Sequence, residues 1–159
     1  MSTRYPGTLC IASLLLYATV MPSAARADTD ACTVLTAAQV GSAIGGSVTA
    51  GTHVTPTFVR TCTWNASGSS SVKFVTLYLQ TAAAYDGGKR MAAEMAVAGA
   101  GVKPASGGDD AYYFVAGNQV GLLVKKGSAS FKVTVYATIP LEQKEAMELT
   151  LAKEALAKL

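Results

Sequence analysis

Ala111 to Ala137 reads AYYFVAGNQVGLLVKKGSASFKVTVYA, and this stretch decides the fold. Ala111–Val115 and Val120–Lys126 are two apolar runs around Ala116-Gly117-Asn118, the pattern of a β-hairpin. Lys126-Gly127-Ser128 makes a second turn, into Phe131–Ala137. In that last run Phe131, Val133 and Val135 alternate with Lys132, Thr134 and Tyr136, the period of a half-buried strand. Strands joined by turns this tight run antiparallel.

Working outward, Pro140 pre-sets the first turn of a helix from about Leu141 to Leu159. Glu142 and Glu145 suit its positive N-terminal end. Leu149, Ala152, Leu156 and Leu159 predict its buried stripe. Upstream, Gly99–Gly108 (GAGVKPASGG) has the composition of a loop. Ala82–Ala98 has helical composition weakened by Gly87-Gly88, with Tyr85, Met91 and Met95 expected on its buried face. Val72–Gln80 (VKFVTLYLQ) is a strand apolar on both faces, which implies cover on both sides or a contact between copies. Phe58–Trp64 and the Thr- and Val-rich Ser47–Val54 are further β segments, and Asn65-Ala66-Ser67-Gly68 is a turn. Asn65-Ala66-Ser67 is also a formal glycosylation sequon, a triplet that arises by chance and matters only where a host modifies it.

Near the front, Thr36-Ala37-Ala38-Gln39 fits a capping box. It opens a helix over Ala37–Ile44 that Gly45-Gly46 ends. The order helix, strands, helix, strands, helix predicts an α+β fold with a mainly antiparallel sheet of about 5–6 strands and three helices packed on one face. Strand-before-helix recurs at Val72–Gln80 and Phe131–Ala137, a faint sign of internal duplication.

The N-terminus carries an export signal. Arg4 precedes a mostly apolar run, Leu9–Val20, that is too short for a membrane-spanning helix of about 20 residues. Pro22 breaks the run, and Ala25-Arg26-Ala27 is the small-x-small pattern of signal peptidase, so cleavage is expected between Ala27 and Asp28. Residues 1–27 are then a signal peptide and 28–159 one α+β domain of 132 residues, enough for an ordinary core. Cys10 lacks the small residue that a lipobox places ahead of its cysteine. The expected location is periplasmic or secreted, with no transmembrane segment after cleavage. Eleven basic residues then face ten acidic ones, a net charge of +1. No clustered basic face marks a nucleic-acid partner.

Cys32 and Cys62 remain. An even pair in an exported chain reads as a disulfide; the rival reading is two buried thiols. Metal ligation by the pair has no His cluster or third cysteine to complete it. Trp64, two residues after Cys62, is expected in the core.

Cys32-Thr33-Val34-Leu35-Thr36-Ala37-Ala38-Gln39-Val40, Gly45, Cys62-Thr63-Trp64 and Gly108-Asp109-Asp110-Ala111-Tyr112, followed by a Leu/Ala-rich C-terminal helix, resemble a broad group of small exported bacterial envelope proteins of unknown function. Its best-known members are small actinobacterial lipoproteins. In that group a cysteine opens a Leu-Leu-Thr-x-x-Glu-Val helix and a second cysteine lies in a Cys-x-Trp-like strand. Here Val34 replaces the first leucine, Gln39 replaces the glutamate, and the lipobox is missing. The resemblance implies an exported domain with a disulfide from helix to strand, and it carries across no catalytic residues and no cofactor.

No constellation reads as an active site. His53 is the only histidine; it lies on a Thr-rich strand edge with no Gly-x-Ser-x-Gly anywhere, and it is expected to sit away from any carboxylate–hydroxyl pair. Asp109-Asp110 are adjacent, so on a strand they point to opposite faces rather than at one atom. Gly99-Ala100-Gly101 has no Gly-Lys-Ser/Thr after it and is no phosphate loop. Tyr112, Tyr78 and Tyr136 spread aromatics over several strands, and tyrosine suits a partner-binding surface. The leading expectation is a non-enzymatic envelope module holding a protein or polymer. The alternatives are a carrier of a small apolar ligand between helices and sheet, with Met-rich walls, and a hydrolase-type enzyme built on Asp109, Asp110 or His53.

Overall fold

The computed structural model describes Met1 and residues 29–68, 71–95 and 100–159. Apart from Met1, the expected signal peptide, its expected cleavage between Ala27 and Asp28, and Cys10 lie outside the described residues. A 3-10 turn (Ala31–Thr33) leads into α1 (Ala37–Ile44), then β1 (Thr52–His53), β2 (Thr61–Asn65) and β3 (Val72–Thr81). α2 (Ala82–Glu94), β4 (Ala100–Pro104), β5 (Asp110–Ala116), β6 (Gln119–Lys126), β7 (Ala129–Ala137) and α3 (Leu141–Leu156) follow. Among the described residues the fold is α+β with three α-helices and one antiparallel sheet, in the order β1-β2-β3-β7-β6-β5-β4. Seven strands form it rather than five or six. The additional strand is β4, which pairs Ala100–Pro104 with Ala116–Tyr112 where composition indicated a loop. It is an edge strand, and an edge tolerates a terminal proline.

The capping box forms as expected. Gln39 N–H donates to Thr36 Oγ1 at 3.2 Å, and Thr36 N–H donates to Gln39 Oε1 at 2.9 Å. Gly45, at φ 68°, ends α1 in the left-handed conformation that glycine adopts freely. Leu35 and Val40 bracket the first turn, both buried.

The main core lies on one face of the sheet, where Val75, Leu77, Leu122, Val124, Val133 and Val135 meet α1 and α3. Alternation along the strands sends the neighbouring side chains to the other face. There Tyr85 of α2 packs with Tyr112 and Leu123 as a second, smaller core. The helices therefore divide between the two faces, which corrects the expectation of one. β5 and β6 carry apolar side chains on both sides, Tyr112 beside Tyr113 and Leu122 beside Leu123, so each face needs cover. Strand-before-helix recurs, but the two helices that follow lie on opposite faces.

Cys32 and Cys62 are disulfide-bonded, with Cα atoms 4.9 Å apart. The bond ties the segment ahead of α1 to β2, and Cys62 and Trp64 are buried together. Gly51 closes over them: a Cβ there would fall 2.6 Å from Cys62 Sγ and 2.8 Å from Trp64 Nε1. Gly51→Ala is expected to lower stability by about 1–3 kcal/mol through overpacking, read as the urea midpoint.

α3 turns a different face inward than its leucines suggest. Lys144, Glu148, Leu151, Ala152 and Ala155 are its buried residues, and Leu149, Leu156 and Leu159 are half-buried at the margin. The reason is a split in the sheet. β6 and β7 pair from Lys126↔Ala129 only as far as Leu122↔Val133. β5–β6 and β3–β7 run on, to Ala116↔Gln119 and Val72↔Ala137. Past the last shared pair, Val135 N–H donates to Glu148 Oε1 at 2.9 Å, and Lys144 Nζ donates to the Asn118 carbonyl at 2.5 Å. One helix thus reaches both sides of the split: Glu148 takes the buried N–H of Val135, beyond the last β6–β7 pair, and Lys144 takes a carbonyl of the β5–β6 turn.

Among the described residues, no helix is long and apolar enough to cross a membrane.

Candidate functional site

The second face of the sheet is only partly covered, and α2 decides which part. Thr81 caps α2, its Oγ1 accepting from Ala84 N–H at 3.2 Å. Tyr85 then meets Tyr112 edge to face, with centroids 5.2 Å apart. Lys89 reaches Asp110 at 2.7 Å and Lys125 reaches Asp86 at 2.7 Å. The Lys125 ammonium also lies 5.4 Å from the centre of the Tyr85 ring. The Lys89 hydrogen bond holds the Asp110 carboxyl below the usual range. Burial, and then the nearby Asp110 charge, hold the Tyr85 hydroxyl well above it. These contacts seat α2 over β5 and β6.

No helix among the described residues covers the same face over β2, β3 and the far end of β7. Phe74 stacks on Tyr136 with centroids 4.2 Å apart, and Phe58 lies against Tyr78 at 6.3 Å. Phe58 is 45% exposed and Tyr78 36%. Of the three tyrosines expected to meet a partner, Tyr78 and Tyr136 stand on this open face. Tyr112 does not: it is 2% exposed beneath α2, because its even-numbered place on β5 puts it in the second core. Burial also raises its hydroxyl pKa.

Between the open face and α2 runs a groove with two arms, of about 170 Å³ and about 120 Å³, which share Phe114 and Lys132. Met91 of α2 and Met95 at its C-cap line the first arm, and both are half exposed rather than buried as expected. Tyr136 and Gly121 line the second, over the split between β6 and β7.

His53 and the aspartates have other roles. His53 Nε2 lies 2.8 Å from Asp30 Oδ1, so the histidine does meet a carboxylate. The same Asp30 oxygen accepts from Cys32 N–H at 2.8 Å. Thr33 Oγ1 turns away, donating to the Asp30 carbonyl at 2.7 Å. The dyad pins the N-terminal turn to the sheet edge. Its position is legible in hindsight, because His53 is the ladder partner of Cys62, and Cys62 is bonded to Cys32, two residues from Asp30. Asp30, Cys32 and His53 offer atoms within 4.8 Å of one another. The Cys32 sulfur is taken by the disulfide, which leaves two ligand atoms where a zinc site uses three or four protein ligands. Asp109 and Asp110 diverge: Asp109 Oδ2 accepts from Gly127 N–H at 2.6 Å, while Asp110 pairs with Lys89.

Lys132, Lys144 and Glu148 carry no sequence signal of this kind. Lys132 reads as an ordinary outward residue of an alternating strand, and Lys144–Glu148 as a surface pair one helical turn apart. Compared with known proteins, the chain matches no family model, no curated protein and no solved structure.

Proposed function

We propose that this chain is an exported, non-enzymatic binding module of the cell envelope, akin to the actinobacterial lipoproteins that its cysteine–helix and Cys-Thr-Trp motifs resemble, and that it holds a protein or polymer on the open half of its second sheet face. The observation that carries this reading is the pair of ring stacks, Phe58 with Tyr78 and Phe74 with Tyr136, on a face that no helix covers among the described residues. Contiguous exposed apolar surface on a folded domain marks an interaction site. Aromatic side chains supply most of the energy at such sites, since they bury a large rigid area at low entropic cost. The disulfide accords with an oxidising compartment. The groove walled by Met91 and Met95 favours a second reading, a carrier of a small apolar ligand.

The test is retention of envelope proteins and polymers on the immobilised protein. A Phe58→Ser/Tyr78→Ser variant is expected to hold about tenfold less than wild type, since losing an aromatic anchor costs about 1–2 kcal/mol or more. Lys103→Ala, on the opposite face, is expected to retain the wild-type amount. Equal retention by the double variant contradicts the proposal.

A further inference from the structure

Among the described residues, the groove beside α2 holds one charged side chain and no acidic one to balance it. Lys132 is half-buried where the two arms meet. Among the described residues it has no hydrogen bond or ion pair of the kind that Lys89, Lys103 and Lys125 make with carboxylates. No acidic side chain lines either arm. The acid whose field it feels is Glu148, which arrives from the α3 side of the sheet, and burial pushes that carboxyl up to about 8, so it is mostly neutral at pH 7.

The position of this ammonium is built. A Cβ on Gly121 would fall 2.6 Å from Lys132 Cε and 2.9 Å from Thr134 Oγ1. The bare glycine at 121 leaves room for the lysine stem to lie across β6, where Lys132 lines both arms together with Phe114. An ammonium partly withdrawn from water among apolar walls is costly unless an anion meets it. The arm beside α2 is mainly apolar, walled by Met91, Met95, Phe114 and Leu123, whereas the other also carries Gln119, Thr134 and Tyr136; the methionines adapt to irregular chains. Each arm is close in size to the roughly 150 Å³ cavity that accepts a single benzene ring, which fits one hydrocarbon chain rather than two.

We infer that the Lys132 groove binds a single-chain aliphatic carboxylate, its head on the Lys132 ammonium and its chain along Phe114, Leu123, Met91 and Met95. This deepens the second reading given above, the carrier in the Met-walled groove, by naming its ligand class; it is independent of the partner surface on the Phe58 and Tyr78 side of the face, so either stands if the other fails.

Decanoate is the probe, with decanol and decyltrimethylammonium as uncharged and cationic controls of the same chain length, titrated into the purified protein by calorimetry. Decanoate is expected to bind at least about tenfold more tightly than decanol, as a charge-assisted hydrogen bond implies, and decyltrimethylammonium more weakly than either. Lys132→Met is expected to remove the decanoate advantage and keep decanol binding, and Lys132→Arg to restore the advantage. Equal affinities for decanoate and decyltrimethylammonium, no binding of decanoate, or unchanged decanoate affinity in Lys132→Met would each overturn the inference. Should Lys132→Met fail to fold, the ranking of the three probes on wild type decides.

Discussion

Raising the pH from 5 to 9 is expected to lower the stability of the wild-type protein relative to Glu148→Gln by about 3–5 kcal/mol. Glu148 is fully buried, with one oxygen on Val135 N–H and the other without a partner. Burial raises its pKa from 4.5 to about 8, against the opposing pull of the Val135 backbone and the Lys132 ammonium. A raised carboxyl pKa means that the native state binds a proton the unfolded chain has released. The stabilising contribution is therefore fully present below about pH 4.5 and is lost as pH rises to about 8. Glutamine keeps an oxygen for Val135 and has no proton to lose, so its stability takes no slope from this position. Urea unfolding of both proteins across the range checks this, and parallel curves would show that Glu148 titrates normally.

Cys62→Ser is expected to cost about 2–4 kcal/mol, Cys32→Ser about the same, and the double variant little more than either, since all three remove one bond. The bond fastens a weak element. α1 has eight residues and buries only Val40 and Ile44, and an isolated helix shorter than about 12 residues is marginal in water. Restricting the unfolded chain between residues 32 and 62 offsets that weakness. Thermal unfolding with and without reductant reads the effect: wild type is expected to shift to the variants' midpoint on reduction, while the variants stay put.

The local chemistry of the chain was legible where it acts over a few residues. Thr36 and Gln39 cap each other at a spacing fixed by helix geometry, and Phe131–Ala137 alternates because one side of β7 meets the core. The disulfide followed from an even cysteine pair. What escaped depends on distant partners. Gly101 and Pro104 gave β4 the composition of a loop, because an edge strand needs only one paired neighbour. The division of the helices between two faces was implicit in Tyr112-Tyr113 and Leu122-Leu123, yet it becomes plain only when β5 and β6 lie side by side. Lys144 and Glu148 look like a solvated pair, since nothing in sequence reveals that β6 and β7 part and leave backbone groups for them. Residue type alone singled out Tyr78, Tyr136 and Tyr112; the first two lie on the open face and Tyr112 lies under α2, because type does not say which face a helix will cover.

The claim that the open sheet face is the contact surface is tested most directly by hydroxyl-radical footprinting of the protein with and without envelope extract. Oxidation of Phe58, Phe74, Tyr78 and Tyr136 is expected to fall together in the extract, while Met147 and Leu149 of α3 on the opposite face keep theirs. Unchanged oxidation of the four rings, with protection appearing on α3 instead, would contradict the account.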